Sequence, residues 1–169
     1  MSSEPDWRFS GMISWPPDLI CFTEAWLSDK FPPHLIDLPG RIYFTKNRDD
    51  GYGGVLTYVQ TRSCSIAKDA IPKSPEGGDL PVLKLRPKQL PSEFLAIYSI
   101  NVYNPESNTI KAKEAVKAID NPVHNAMKIS PNALIILTDD LNENDLDALD
   151  ENGFHQYVSF PTHGNHTLN

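Results

Sequence analysis

Cysteine is scarce in this chain: Cys21 and Cys64 are the only two in 169 residues. A disulfide framework or a cysteine-rich zinc site needs more, so both read as reduced thiols inside strand-like segments. Long apolar runs are missing as well. No stretch approaches the ~20 residues of a membrane span, and the opening "MSSEPDWRFSGMISW" lacks the basic start and apolar core of a signal peptide. These absences predict an intracellular chain, nuclear or cytoplasmic, with no membrane partner. Positive charge is short too, with 15 Lys and Arg against 22 Asp and Glu and a net charge of −7. A protein that grips nucleic acid by charge alone is normally basic. An acidic site can handle phosphates only where bound divalent cations reverse its local sign.

What the chain does have is proline. Fifteen prolines are well above the usual ~5%, which disfavours a helix bundle and predicts strands joined by irregular loops. The length suits one domain, able to bury roughly 70% of its unfolded surface. No internal repeat or obligate protein partner is indicated. Residues 1–16 read as an irregular lead-in, and 17–169 as the domain.

Apolar periodicity predicts the elements. "DLICFT" (18–23) is a nearly continuous apolar run, the pattern of a strand buried on both faces, and Glu24 closes it. "AWLSDKFPPHLIDLPG" reads as a loop or short helical turn broken by Pro32 and Pro33. "RIYFTK", "VLTYVQ", "CSIAK", "LPVLKLRP" and "EFLAIYSINVY" are strand-like, and "NRDDGYGG" is a glycine-rich connection between the first two. "NTIKAKEAVKAI" is the clearest helix, expected to stop or kink at Pro122. "ALIILT" follows as a buried strand, "NDLDALDENG" as a short helix capped by Gly153, and "FHQYVSFPTH" as a last strand. Apolar strands with few helices predict a layered α/β or α+β sandwich.

Three of these strands end in polar groups: at Glu24, at Tyr103, and at Asp139, Asp140 and Asn142. Ligands in layered sheets collect beyond strand ends, on rigid supports. Two carboxylates, Glu24 and Asp140, suit Mg²⁺, which takes only one or two protein carboxylates and completes its shell with water and substrate phosphate. Asn142 and Tyr103 would then face the phosphate. Each piece also has an ordinary reading. Glu24 could be a solvated strand-end carboxylate, Tyr103 a boundary aromatic, and "TDDLNEND" a polar turn capping a helix through Asn144. A calcium loop is excluded because Asp145 fills the position that demands glycine. His163 and His166 lack the cysteines of a zinc site, and "GYGG" lacks the lysine and following helix of a phosphate-binding loop.

The order of segments is more specific than any one of them. "PDLICFTEAWLSDKF", "NRDDGYGGVLTYV", "LKLRPKQLPSEFLAIYSINVYNPES", "NALIILTDDLN" and "GFHQYVSFPTHGNHTLN" resemble successive blocks of the endonuclease/exonuclease/phosphatase superfamily. They are most similar to the endonuclease domain of non-LTR (LINE-type) retrotransposons. The resemblance covers 17–169. It implies a deoxyribonuclease I-like sandwich, two β-sheets face to face with outer helices, and a hydrolase that nicks DNA phosphodiesters with Mg²⁺ or Mn²⁺. Glu24 matches the family's metal-binding glutamate in a "TETWL"-like block, and Tyr103 its tyrosine before a proline turn. Asp140 and Asn142 match the aspartate and asparagine of "GDFN", with Asp139 in place of glycine.

Two departures accompany the resemblance. The family's opening strand, with an asparagine or aspartate in a segment like "NARSL", has no counterpart in the first residues. Its late "LD" and closing "SDH" are met by Leu168 and Asn169 alone, so the late aspartate is an asparagine and the Asp–His pair is absent. A general-base unit of that kind contributes about 10²–10⁴-fold. The expectation is therefore an incomplete domain, truncated at both ends, with impaired catalysis. The alternative is an inert remnant or binding module that keeps the nuclease scaffold. A phosphatase of the same superfamily fits the retroelement-like blocks least.

Overall fold

Seven strands form in the computed structural model, which describes residues 17–28, 31–47, 53–68, 82–103, 119–120, 122–140 and 153–157, with the backbone alone at 67, 68, 139 and 140. They are β1 (Leu19–Thr23), β2 (Arg41–Lys46), β3 (Val55–Gln60), β4 (Cys64–Lys68), β5 (Val82–Pro87), β6 (Ile97–Tyr103) and β7 (Leu134–Asp140). Six fall within segments whose β-branched and aromatic content predicted them, and β7 runs two residues past "ALIILT", to Asp140. They make two sheets, one ordered β1-β3-β2 and the other β4-β5-β6-β7. The first is antiparallel throughout, with Thr23 opposite Val55 and Lys46 opposite Val55 from the other side. In the second, β4, β5 and β6 are antiparallel and β6 and β7 parallel. A parallel pair needs a long crossover, and helical residues at 119–120 and 122–129 lie in that connection. The result is an α+β sandwich of two sheets with few helices. No helix among the described residues is long and apolar enough to cross a membrane.

Strand alternation sorts the side chains into three apolar layers. Val59, Cys64, Leu83 and Leu85, with Leu19, Phe44, Ile66 and Ile97 against them, fill the space between the sheets. The outer face of the first sheet carries Leu56 and Tyr58, covered by Leu27 and Ile36. There the Tyr58 ring meets Phe22 and Tyr43 edge-on, at centroid distances of 6.2 and 6.1 Å, the favoured geometry for aromatic pairs. The outer face of the second sheet buries Tyr98, Ile100 and Val102 beneath Ile119, Val123 and Ala126.

Three expectations change. β1, read as buried on both faces, and β7, read as a buried strand, stand at the sides of their sheets among the described strands and are half-buried, with Phe22 45% exposed. The fully buried strand is β3, which has a neighbour on each side. An unbroken apolar run does not by itself distinguish these cases. Helical residues occur at 119–120 and 122–129, and the stop or kink expected at Pro122 turns on residue 121, outside the described residues. Ile119, Val123 and Ala126 stand at i, i+4 and i+7 and are all buried.

Pro32 and Pro33 likewise open a turn where a break was expected. Pro33 begins a 3-10 turn, Pro33–Leu35, at a position where its missing N–H costs nothing. Finally, 154–157 form no strand, and the rest of "FHQYVSFPTH" lies outside the described residues. Gly153 turns the chain at φ 81°, Phe154 packs against the Tyr98 layer, and Tyr157 is 93% exposed. The expected helix "NDLDALDENG", apart from Gly153, and the greater part of "NTIKAKEAVKAI" lie outside the described residues. Cys21 and Cys64 are both free thiols, as their number predicted.

Candidate functional site

Glu24 follows directly on β1, where the backbone stops pairing and turns. Glu24 and Trp26 both have positive φ, 51° and 52°. Side chains with a Cβ rarely adopt that region, which costs of order ~1–3 kcal/mol and persists only where surroundings enforce it. Here the enforcing groups are backbone carbonyls: the Ala25 N–H donates to Gly54 O at 3.1 Å, and the Trp26 N–H to Gly53 O at 2.8 Å. The glycine-rich connection between β2 and β3 is therefore also the support that fixes Glu24. Glu24 itself is exposed.

Tyr103 ends β6. Its hydroxyl donates to Glu24 Oε1 at 2.8 Å, joining residues 79 positions apart. The Tyr103 ring lies against Gly53, where a Cβ would collide with the ring's Cε1 edge, 2.8 Å from Cδ1 and 2.9 Å from Cζ. Gly53 thus serves two ends, a left-handed turn at φ 78° and space for the tyrosine.

Asp140 ends β7 and pairs in register with Tyr103 across the parallel ladder, where strand spacing is ~4.8 Å. Of the residues singled out in the sequence, Glu24 and Tyr103 are in contact and Asp140 is Tyr103's neighbour in the sheet. Asn142 and Asn169 lie outside the described residues, as do His163 and His166.

Sequence reasoning missed a second set, one strand repeat deeper. Asn101 is 1% exposed. Its Nδ2 donates to Phe22 O at 3.1 Å and to Thr57 Oγ1 at 3.2 Å, and its Oδ1 accepts from Thr138 Oγ1 at 3.2 Å. One carboxamide therefore joins β1, β3, β6 and β7. The available signal was parity: Asn101 and Thr138 are polar residues at inward positions of apolar strands, and buried polar groups demand partners.

Glu24 offers hard oxygen donors at an exposed strand end, with Oε1 engaged by a neutral phenol. Such a donor set fits a small hard cation that keeps most of its waters, and it does not fit zinc. Among the described residues no group of three or more His, Cys, Asp and Glu is placed to hold a metal ion.

No family model matches the chain, and no curated protein does. Among solved structures, the crystal structure of a humanized D. rerio TDP2 with 14 mutations matches with a TM-score of 0.52 at 15% identity. The match covers 79% of this chain and 53% of that one, so the chain spans about half the length of TDP2. At that identity the likeness is one of fold, and together with the two facing sheets it makes this chain an α+β sandwich consistent with the deoxyribonuclease I-like type.

Proposed function

We propose that the chain is a divalent-metal-dependent phosphodiesterase acting on DNA, an endonuclease of non-LTR retrotransposon type. The observation that carries this reading is the Tyr103–Glu24 hydrogen bond, made at the strand end where Asp140 stands in register with Tyr103. The order of the sequence blocks supports the chemistry, and the fold match supports the scaffold.

Glu24 and Asp140 would hold Mg²⁺ or Mn²⁺, with Asn142 and Tyr103 on the phosphate. A bound cation supplies Lewis-acid stabilisation of the leaving oxygen and a water of lowered pKa. The protein's own part is positioning. Tyr103, wedged on Gly53, presents its O–H at the carboxylate, from which it can turn to donate to a phosphate oxygen. A net charge of −7 gives little attraction for a polyanion, so DNA binding should itself depend on the divalent ion.

Asn169 stands where the family carries its late aspartate, and that substitution removes a proton acceptor. The reading therefore includes reduced turnover, and it favours as runner-up a scaffold that binds DNA without cutting it. A plasmid-nicking assay in Mg²⁺ and in Mn²⁺ tests both. The chain should nick slowly, and Glu24→Ala and Asp140→Ala should each lower the rate by about 10²-fold or more. Tyr103→Phe should lower it by about 10-fold, the loss of one hydrogen bond to a charged group. Nicking that survives both carboxylate changes would overturn the enzyme reading. Metal-dependent DNA retention without any nicking would favour the binding scaffold.

A further inference from the structure

Asn101 lies one strand repeat below the candidate site, and its partners repeat that offset. Phe22, whose carbonyl accepts from Asn101, is two residues before Glu24; Asn101 is two before Tyr103; Thr138, which donates to Asn101, is two before Asp140. Two residues of strand are ~6.6 Å. We infer that Asn101 is a positioning residue, its carboxamide setting the ends of β1, β6 and β7 relative to one another so that Glu24 and Tyr103 meet at the level of Asp140 in the ladder; the inference rests on the phosphodiesterase reading above.

The chemistry of the group suits that task. A carboxamide has two N–H donors and an accepting oxygen, and Asn101 uses both ends: Nδ2 on the first sheet, Oδ1 on the second. An apolar residue could fill the same volume but would tolerate sliding between the sheets. A fully partnered amide in a dry interior does not, because any slide leaves a polar group without its bond. Ser99 provides the contrast within the same strand and face. It is equally buried, yet its Oγ has no partner among the described residues. Polarity alone at this level therefore does not tie the sheets.

The test uses the whole chain with four substitutions, Asn101→Leu, Asn101→Asp, Thr138→Val and Ser99→Ala, each assayed well below its unfolding temperature. Asn101→Asp keeps the acceptor for Thr138 and loses the amide donors, whereas Thr138→Val loses only the link to β7. The first readout is nicking kinetics per folded molecule. The Asn101 and Thr138 variants should lose up to about 10²-fold in kcat, as expected of sub-ångström to ångström misplacement, with KM for DNA little changed. Ser99→Ala should match the parent. The second readout needs no activity. The Tyr103 ring sits on Gly53, so its ring current should displace the Gly53 proton resonances, and that displacement should shrink in the Asn101 and Thr138 variants only.

Unchanged kcat and unchanged Gly53 resonances in folded variants would overturn the inference and leave the enzyme reading intact. A parent chain without metal-dependent nicking, whose Gly53 displacement still collapses in these variants, would sink the enzyme reading and leave the positioning role standing. If Asn101→Leu does not fold, the other two decide on the same readouts. Unfolding of all three would make the amide a general determinant of the sandwich and overturn its local role.

Discussion

At Gly53 an added methyl group would collide with the Cε1 edge of the Tyr103 ring, and the same residue would be forced to keep a left-handed backbone. Gly153 has the same backbone sign, φ 81°, with nothing within 4 Å of an added Cβ. The pair separates two costs. Gly153→Ala should destabilise by about 1 kcal/mol, the conformational penalty alone. Gly53→Ala should cost about 2–4 kcal/mol, because the penalty is joined by a steric conflict that only movement of Tyr103 relieves. It should also break the Tyr103–Glu24 hydrogen bond and lower nicking by about 10-fold, as Tyr103→Phe does. Urea unfolding and steady-state nicking check both values. Equal costs at the two glycines would mean that the ring yields freely. Glu24 and Tyr103 were legible in the sequence as polar groups at the ends of apolar strands. The role of Gly53 was not, because a glycine cluster announces a turn and says nothing of the ring that rests on it. Asn101 was hidden for a related reason: its partners come from three other strands, and no local spacing encodes that convergence.

Among the elements, the strands were the most legible. "RIYFTK", "VLTYVQ" and "CSIAK" coincide with β2, β3 and β4, since alternation and β-branched content act locally. Position within a sheet is set by neighbours far away in sequence, so the two runs that looked most buried, at β1 and β7, turned out to lie at the sides. The helical stretch 122–129 is held by Val123 and Ala126, buried with Tyr98 and Ile100, rather than by propensity. Val123→Ala should therefore cost about 2 kcal/mol, the transfer term plus a small cavity. Met127→Ala, at a position 50% exposed on the same stretch, should stay within about 0.5 kcal/mol. Thermal unfolding followed by far-ultraviolet circular dichroism compares them. Equal losses would show that helix propensity rather than packing carries the segment.

The whole molecule combines two sheets whose protonation is tied to folding at alkaline pH. Tyr58, in the centre of the first sheet, donates its hydroxyl to Ile36 O at 2.6 Å. Burial, together with the neighbouring Tyr43 and Asp37, pushes its pKa above the ordinary phenol value of 10.0. Cys64, between the sheets, is pushed above the ordinary thiol value of 9.0, chiefly by burial and slightly by Asp18, against a backbone hydrogen bond from Arg86 that pulls the other way. In both cases the folded chain holds a proton that the unfolded chain releases sooner. Stability is then complete below the unfolded values and falls as pH rises through the folded ones, by at most about 1.4 kcal/mol per pH unit for each group. Urea midpoints should hold steady to about pH 9, decline first through Cys64, and steepen above pH 10 as Tyr58 joins. Cys64→Ala should remove the early decline and Tyr58→Phe the later one, although each begins from a lower neutral-pH stability. A double variant that declines as steeply as the parent would show that the alkaline loss arises elsewhere, and that neither buried group couples its proton to the closing of the sandwich.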